Sequence, residues 1–388
     1  MDFAISEEQQ AIVDSTIKAV SAFDDEYWLE KDRKGGFPVE FHQAMAQGGF
    51  LGITMPEEYG GAGLGVTEAA LMMHEVARHG GGFQAASAIH INLFGPHPIV
   101  VFGMDEQKQR FLPPLIQGQH RTAFGVTEPD AGLNTTHIKT RAERTNRGYT
   151  IHGQKVWTST AQVAEKILLL TRTTPLEECA KPTHGMTLFY TDLNRDRIEV
   201  REIEKMGRKA VDSNAIFIDG LEVPEEDRIG EEGKGFSYLL HSLNPERILI
   251  GAEAIGLGRD ALARAATYAA DRKVFGRAIG QNQGIQHPLA ESWAELEAAW
   301  HMVLKAAWLY DNGKPCGAEA NAAKFLGARA GHTAAERAVL THGGMGYAKE
   351  FHVERLYREA MIARIAPVSE QLILSFLGEN VLDLPKSY

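Results

Sequence analysis

Cysteine is almost absent from this chain. Only Cys179 and Cys316 occur in 388 residues, far apart and without metal-ligand spacing. That argues against a disulfide framework or a zinc site and points to free thiols in a reducing cytoplasm. Positive charge is also short: 40 Lys and Arg face 51 Asp and Glu, for a net charge of −11. Nucleic acid as a main partner is excluded on that ground, because binding it normally needs a basic face. A local basic patch is still allowed. No uninterrupted apolar run reaches the roughly 18 residues of a membrane span, so none is expected. The stretch Met1–Glu8 lacks a basic n-region and an apolar h-region, so no signal peptide is expected. Also missing are an internal repeat, a low-complexity tract, a Ser-His-Asp spacing and a metal-ligand helix motif, so no metal is expected.

What remains is a globular composition, 44% hydrophobic and 23% charged. The length calls for two or three domains. Residues 1–120 read as helical. Ser6-Glu7-Glu8-Gln9 predicts a capped first helix with Ile12, Val13, Ile17 and Val20 as its stripe. Val66–His79 predicts another, and a third ends at Pro113-Pro114. Residues 121–230 change texture. Ile167–Leu170, Met186–Tyr190 and Ala215–Ile218 are short β-type runs between turn residues. Residues 231–388 return to long, Ala-rich helices: Ile248–Asp271, Gln286–Tyr310 and Ala318–His342. Such helices suit an antiparallel bundle.

Two stretches carry chemistry. Residues 125–134 read Gly-Val-Thr-Glu-Pro-Asp-Ala-Gly-Leu-Asn. Its glycines let backbone N–H groups approach a flat polar ring. About thirty residues on, Trp157-Thr158-Ser159 offers an aromatic wall and two hydroxyls. The pair resembles the flavin-embracing strands of the acyl-CoA dehydrogenase family, and the resemblance runs through nearly the whole chain. It implies an α+β multidomain fold, with a helical N-terminal domain, a middle β-barrel-like domain and a C-terminal four-helix bundle. It implies FAD as cofactor, with Phe124, Val126, Thr127, Trp157, Thr158 and Ser159 around the ring. Ser159 would bond the N5 region, where a donor can stabilise charge as hydride arrives. One departure is Leu133-Asn134, where the family has Ser-Asp, which removes a polar contact to CoA.

Arg272-Lys273-Val274-Phe275-Gly276-Arg277 on its own reads as a solvated basic helix end. In the resembling family Arg272, Phe275 and Gln283 reach the FAD diphosphate and adenosine of a neighbouring subunit. His342-Gly343-Gly344-Met345-Gly346-Tyr347 follows a helix, so it is no Rossmann loop and reads as a glycine C-cap. By resemblance Gly343 and Gly344 turn beside the partner's FAD. Leu340 stands where the family commonly has Gln. A shared cofactor implies an oligomer, a homotetramer by resemblance.

The family reaction takes the α-proton of an acyl-CoA with a carboxylate in a dry pocket. In most members that Glu lies near the C-terminus. Aligned through Arg358-Glu359-Ala360, the position here falls on Pro367, which cannot accept a proton. Isovaleryl-CoA and long-chain members carry their Glu at the start of another helix, and Leu243-Asn244-Pro245-Glu246-Arg247 matches that context. Glu246 is therefore the expected base and Glu370 the second choice. Asn-Pro-Glu is equally an ordinary helix-start signal. Leu133, Leu243, Asn244 and Arg247 are expected near the substrate. His90, His241 and His342 could line a cleft, but a lone His near apolar residues usually reads as structural.

The resemblance thus implies an FAD-dependent acyl-CoA dehydrogenase that forms a trans-2-enoyl-CoA and passes electrons to an electron-transfer flavoprotein. An acyl-CoA oxidase would instead reoxidise its flavin in air. A flavin monooxygenase on the same scaffold would lack Arg272. A non-catalytic flavin- or acyl-CoA-binding member, suggested by Pro367, would not bleach its flavin with any acyl-CoA.

Overall fold

The structure, a computed structural model, describes residues 4–386; the leader reading of residues 1–3 lies outside them. Seven helices come first: α1 Glu7–Val20, α2 Asp25–Lys34, α3 Val39–Gln47, α4 Val66–Arg78, α5 Gly82–Phe94, α6 His97–Phe102 and α7 Asp105–Ile116. The capping box at Ser6 and Gln9 closes the start of α1 reciprocally. The expected stop at Pro113-Pro114 is wrong. α7 runs through both prolines to Ile116. The carbonyls that lose their donors belong to Gln109 and Arg110, which are exposed, so water can serve them.

The middle of the chain forms β1 Thr122–Gly125, β2 Arg141–Thr145, β3 Gly148–Ser159, β4 Lys166–Arg172, β5 Met186–Asp192, β6 Ile198–Glu202, β7 Ser213–Pro224 and β8 Arg228–Ile229. They make one sheet in the order β6-β7-β3-β2-β4-β5-β8, with β1 added parallel to β4. The ladder between β3 and β7 slips between Lys155 and Thr158. A bulge of this kind re-aims a side chain, and here it turns Trp157 outward.

The last part holds α8 Gly235–Asp271, the hairpin β9 Lys273–Val274 and β10 Arg277–Ala278, then α9 Gln283–Asp311, α10 Gly317–His342, α11 Val353–Ile365 and α12 Glu370–Asn380. α8 is longer than the pattern predicts and holds Pro245 in its interior. The Asn-Pro-Glu segment is therefore not a helix start. Packing against α4, α5 and α10 keeps the helix continuous through the proline.

α8 and α10 touch through small residues. A Cβ on Gly327 would come within 2.8 Å of the Gly251 carbonyl, and one on Gly331 would overlap the Ala254 carbonyl. We expect Gly331→Ala to lower stability by about 1–3 kcal/mol, read as an earlier midpoint in urea. An unmoved midpoint would mean that the two helices separate without cost.

Two segments, Gly82–Phe102 and Val353–Asn380, are long and apolar enough to cross a membrane by length and composition. Both contain polar residues, so neither is an uninterrupted apolar run. The first, α5 with α6, is mostly buried inside the protein. The second is broken by the corner between α11 and α12.

Candidate active site

The 125–134 segment leaves β1 and is clamped to β3 by one buried lysine. Lys155 donates to the Val126 carbonyl at 3.1 Å and pairs with Glu128 at 2.8 Å. Glu128 also accepts from the backbone of Lys139 at 2.6 Å and Thr140 at 3.0 Å. The Thr127 carbonyl takes the Val156 N–H at 2.9 Å. Burial pushes Lys155 down to about 8, with Glu128 opposing. Burial would raise the Glu128 carboxyl, but Lys155 and the Lys139 and Thr140 donors hold it below the usual range. The clamp ties the segment carrying Phe124, Val126 and Thr127 to β3, the strand that carries Trp157, Thr158 and Ser159.

These residues suit a planar ring. Trp157 has φ +61° and is 58% exposed, although it belongs to a sheet strand. Such a residue is uncommon and presents a large apolar face. Thr158 is buried with its hydroxyl unpartnered, and Ser159 accepts only a long 3.4 Å bond from Arg208. Leu133 lies on the same loop, exposed at its turn.

A second group gathers at one end of the helical bundle. Arg272 caps α8, Gln283 opens α9, and Gly343 and Gly344 close α10. Tyr268 stacked on His342 at 4.2 Å holds those ends together. Phe275 stands at the tip of the hairpin, φ +53°, fully exposed. With Gly276 at φ +80° it makes a two-residue turn of the kind hairpins favour. Among the described residues no hydrogen bond joins this group to the Thr127–Ser159 group. Gly343 and Gly344 face open space.

Glu246 lies inside α8, 5% exposed. Its Oε2 is buried without a hydrogen-bond partner. Burial pushes the carboxyl up to about 7, with the charges of His90 and Arg247 opposing. Asn244, one turn away, accepts from Arg247 at 3.1 Å. Glu370 is the opposite case. Arg364 grips it with two bonds, 2.6 and 3.1 Å, and holds its carboxyl below the usual range despite some burial. Pro367 lies in the corner before α12, where buried Lys324 donates to the Val368 carbonyl at 2.6 Å.

Two contacts near these groups could not be placed from the sequence. His90 meets Glu253 at 2.5 Å across 163 residues of chain and is the leading cationic influence on Glu246. Arg208 reaches Ser159 from the turn before β7. No local pattern marks either pairing. His241 and His342 do read as structural, stacked on His97 and Tyr268.

Three family models match in succession: acyl-CoA dehydrogenase N-terminal domain over residues 6–119, middle domain over 123–221 and C-terminal domain over 233–382. The acyl-CoA dehydrogenase FadE12 of Mycobacterium tuberculosis is 38% identical, over 100% of this chain and 99% of its own. The caffeyl-CoA reductase-Etf complex subunit CarC of Acetobacterium woodii is 33% identical, over 88% of this chain and 89% of its own. The structure of butyryl-CoA dehydrogenase from Megasphaera elsdenii superposes with a TM-score of 0.93 at 30% identity, covering 98% of this chain and 100% of that one.

Proposed function

Since the chain belongs to the acyl-CoA dehydrogenase family, whose members are FAD-dependent oxidoreductases, we propose that it converts an acyl-CoA thioester to the trans-2-enoyl-CoA, with Glu246 as its base. The observation that carries this reading is the buried Glu246 carboxyl on α8, whose Oε2 has no hydrogen-bond partner. A carboxylate in water is too weak a base for an α-proton. Burial raises the proton affinity of Glu246, and the absence of a bound donor leaves an oxygen free to receive the proton.

The other roles follow. Phe124, Val126, Thr127, Trp157, Thr158 and Ser159 hold the flavin ring, and Arg272, Phe275, Gln283, Gly343 and Gly344 grip the FAD of a neighbouring subunit. FAD held there would supply a two-electron acceptor for the hydride that leaves the β-carbon. Leu133, Leu243, Asn244 and Arg247 line the path of the thioester, and Arg247 also keeps Asn244 in place. Glu370, committed to Arg364, is a poor acceptor.

The Etf complex named for the Acetobacterium relative supports an electron-transfer flavoprotein as the onward partner. Large apolar side chains exposed on the bundle, among them Phe275, Trp293, Trp308, Leu340 and Tyr347, support a homotetramer. The two free thiols suit a cytoplasmic setting.

The test is anaerobic mixing of the FAD-loaded protein with a panel of acyl-CoA thioesters. Bleaching of the flavin supports the proposal, and no bleaching with any of them defeats it. The sign of the pH dependence also follows. Glu246 must be ionised to accept a proton, so below about 7 it is protonated and idle. The bleaching rate should climb through about 7 and level off above it, and stopped-flow rates across that range would read this. A rate falling with pH there would point to a general acid instead.

A further inference from the structure

Ser242, Glu246 and Glu253 follow one stripe of α8, at i, i+4 and i+11. All three are buried, and each keeps one oxygen without a hydrogen-bond partner. α5 supplies the facing residue. His90 shares its Nδ1 proton with Glu253, while its Nε2 is buried and unpartnered. Burial works against charge on His90, but Glu253 outweighs it and raises the imidazole above its ordinary value. One turn earlier on the same face of α5, Ser87 accepts from Arg208 at 3.2 Å.

Arg208 is the group that the proton-transfer chemistry does not use. Its guanidinium reaches only hydroxyls: Ser87, Ser159 at 3.4 Å and Ser213 at 3.3 Å. Among the described residues no carboxylate comes within ion-pair distance of it. Its backbone is left-handed, φ +59°, a conformation that non-glycine residues keep mostly where the surroundings demand it. Glu253, Glu359 and Asp212 act on it only as charges at a distance. Glu253 and Glu246 balance the charges of His90 and Arg208 only from a distance or at one atom, so among the described residues the Arg208 guanidinium has no carboxylate at ion-pair distance and His90 Nε2 has no hydrogen-bond partner. A charge withdrawn from water without a partner is unfavourable. A planar guanidinium with N–H groups to spare, one helical turn from a free imidazolium N–H, has the donor set that a carboxylate takes.

We propose that Arg208 and His90 together bind a carboxylate on the acyl group, so that the substrate is the CoA thioester of a dicarboxylic acid. Glu253 is the positioning residue that fixes the His90 ring. The proposal rests on the acyl-CoA reading above and adds its substrate class. Ser159 connects Arg208 to the flavin side of the site, so the carboxylate end would lie close to the reacting carbons.

The test compares the affinity of the FAD-loaded full chain for matched thioesters: succinyl- against butyryl-CoA, glutaryl- against pentanoyl-CoA, and adipoyl- against hexanoyl-CoA. Calorimetry and flavin difference spectra, taken without air, give each dissociation constant. At one length or more the carboxylated partner should bind at least about tenfold more tightly, as hydrogen bonds to a charged group allow. Arg208→Gln should bring that ratio close to one, Arg208→Lys should restore part of it, and Glu253→Gln should lower it. Equal binding within all three pairs would overturn the proposal, whatever the variants do. So would an Arg208→Gln protein that keeps the preference but shifts the midpoint potential of its flavin, since Arg208 would then serve the cofactor. A preserved preference with no bleaching by any thioester would uphold carboxylate binding and defeat the dehydrogenation reading instead.

Discussion

Glu246→Gln is expected to keep its flavin and to reduce it about 10²–10⁴-fold more slowly, the usual loss when a general base is removed. The amide preserves the shape and burial of the side chain but cannot take a proton. Glu246 has no hydrogen-bond partner for its Oε2, so the change breaks no bond there that holds α8 together. FAD content and thermal midpoint should therefore stay close to those of the parent, and the loss should fall on the single-turnover rate. Glu370→Gln is the control. It severs the Arg364 pair and should touch flavin reduction far less. If Glu370→Gln stops reduction while Glu246→Gln does not, the base has been misassigned.

Lys155→Met should have the largest effect on cofactor retention. The substitution leaves Glu128 buried beside an apolar side chain, and removing one member of a buried pair typically costs about 3–5 kcal/mol. It also frees the Val126 carbonyl, so residues 126–140 lose their main tie to β3. The protein should purify with little FAD and unfold earlier in urea. Lys155→Met with Glu128→Gln should recover part of that loss, because no charge is then left alone in the interior. Full FAD occupancy in Lys155→Met would show that the segment is held by other contacts.

The proposed site draws largely on contiguous residues. The 125–134 segment and Trp157–Ser159 announce themselves because glycine, proline and hydroxyls cluster where a strand pattern begins. Pro367 and Glu246 could be paired because one removes a carboxylate and the other offers one. The errors arise where packing overrides local preference. Pro245 and Pro113-Pro114 look like boundaries, yet the helices continue, since the freed carbonyls cost less than losing the buried faces. His90, Glu253 and Arg208 could not be found from the sequence for a different reason. A histidine on an apolar helix and an arginine in a turn are commonplace alone, and only the crossing of α5 over α8, with the Arg208 turn bonded to Ser87 of α5, makes them neighbours.

α8 has 37 residues, a rod of about 55 Å. It begins against β5, carries Glu246 along its first third and ends at Arg272, beside the hairpin that offers Phe275 to solvent. On the roles proposed above, proton acceptance and the grip on a sister protomer's cofactor would be mounted on a single beam. Dilution to lone protomers would strip the nucleotide from one end and leave the acceptor at the other still poised, so quaternary state would govern redox capacity without altering acid–base competence.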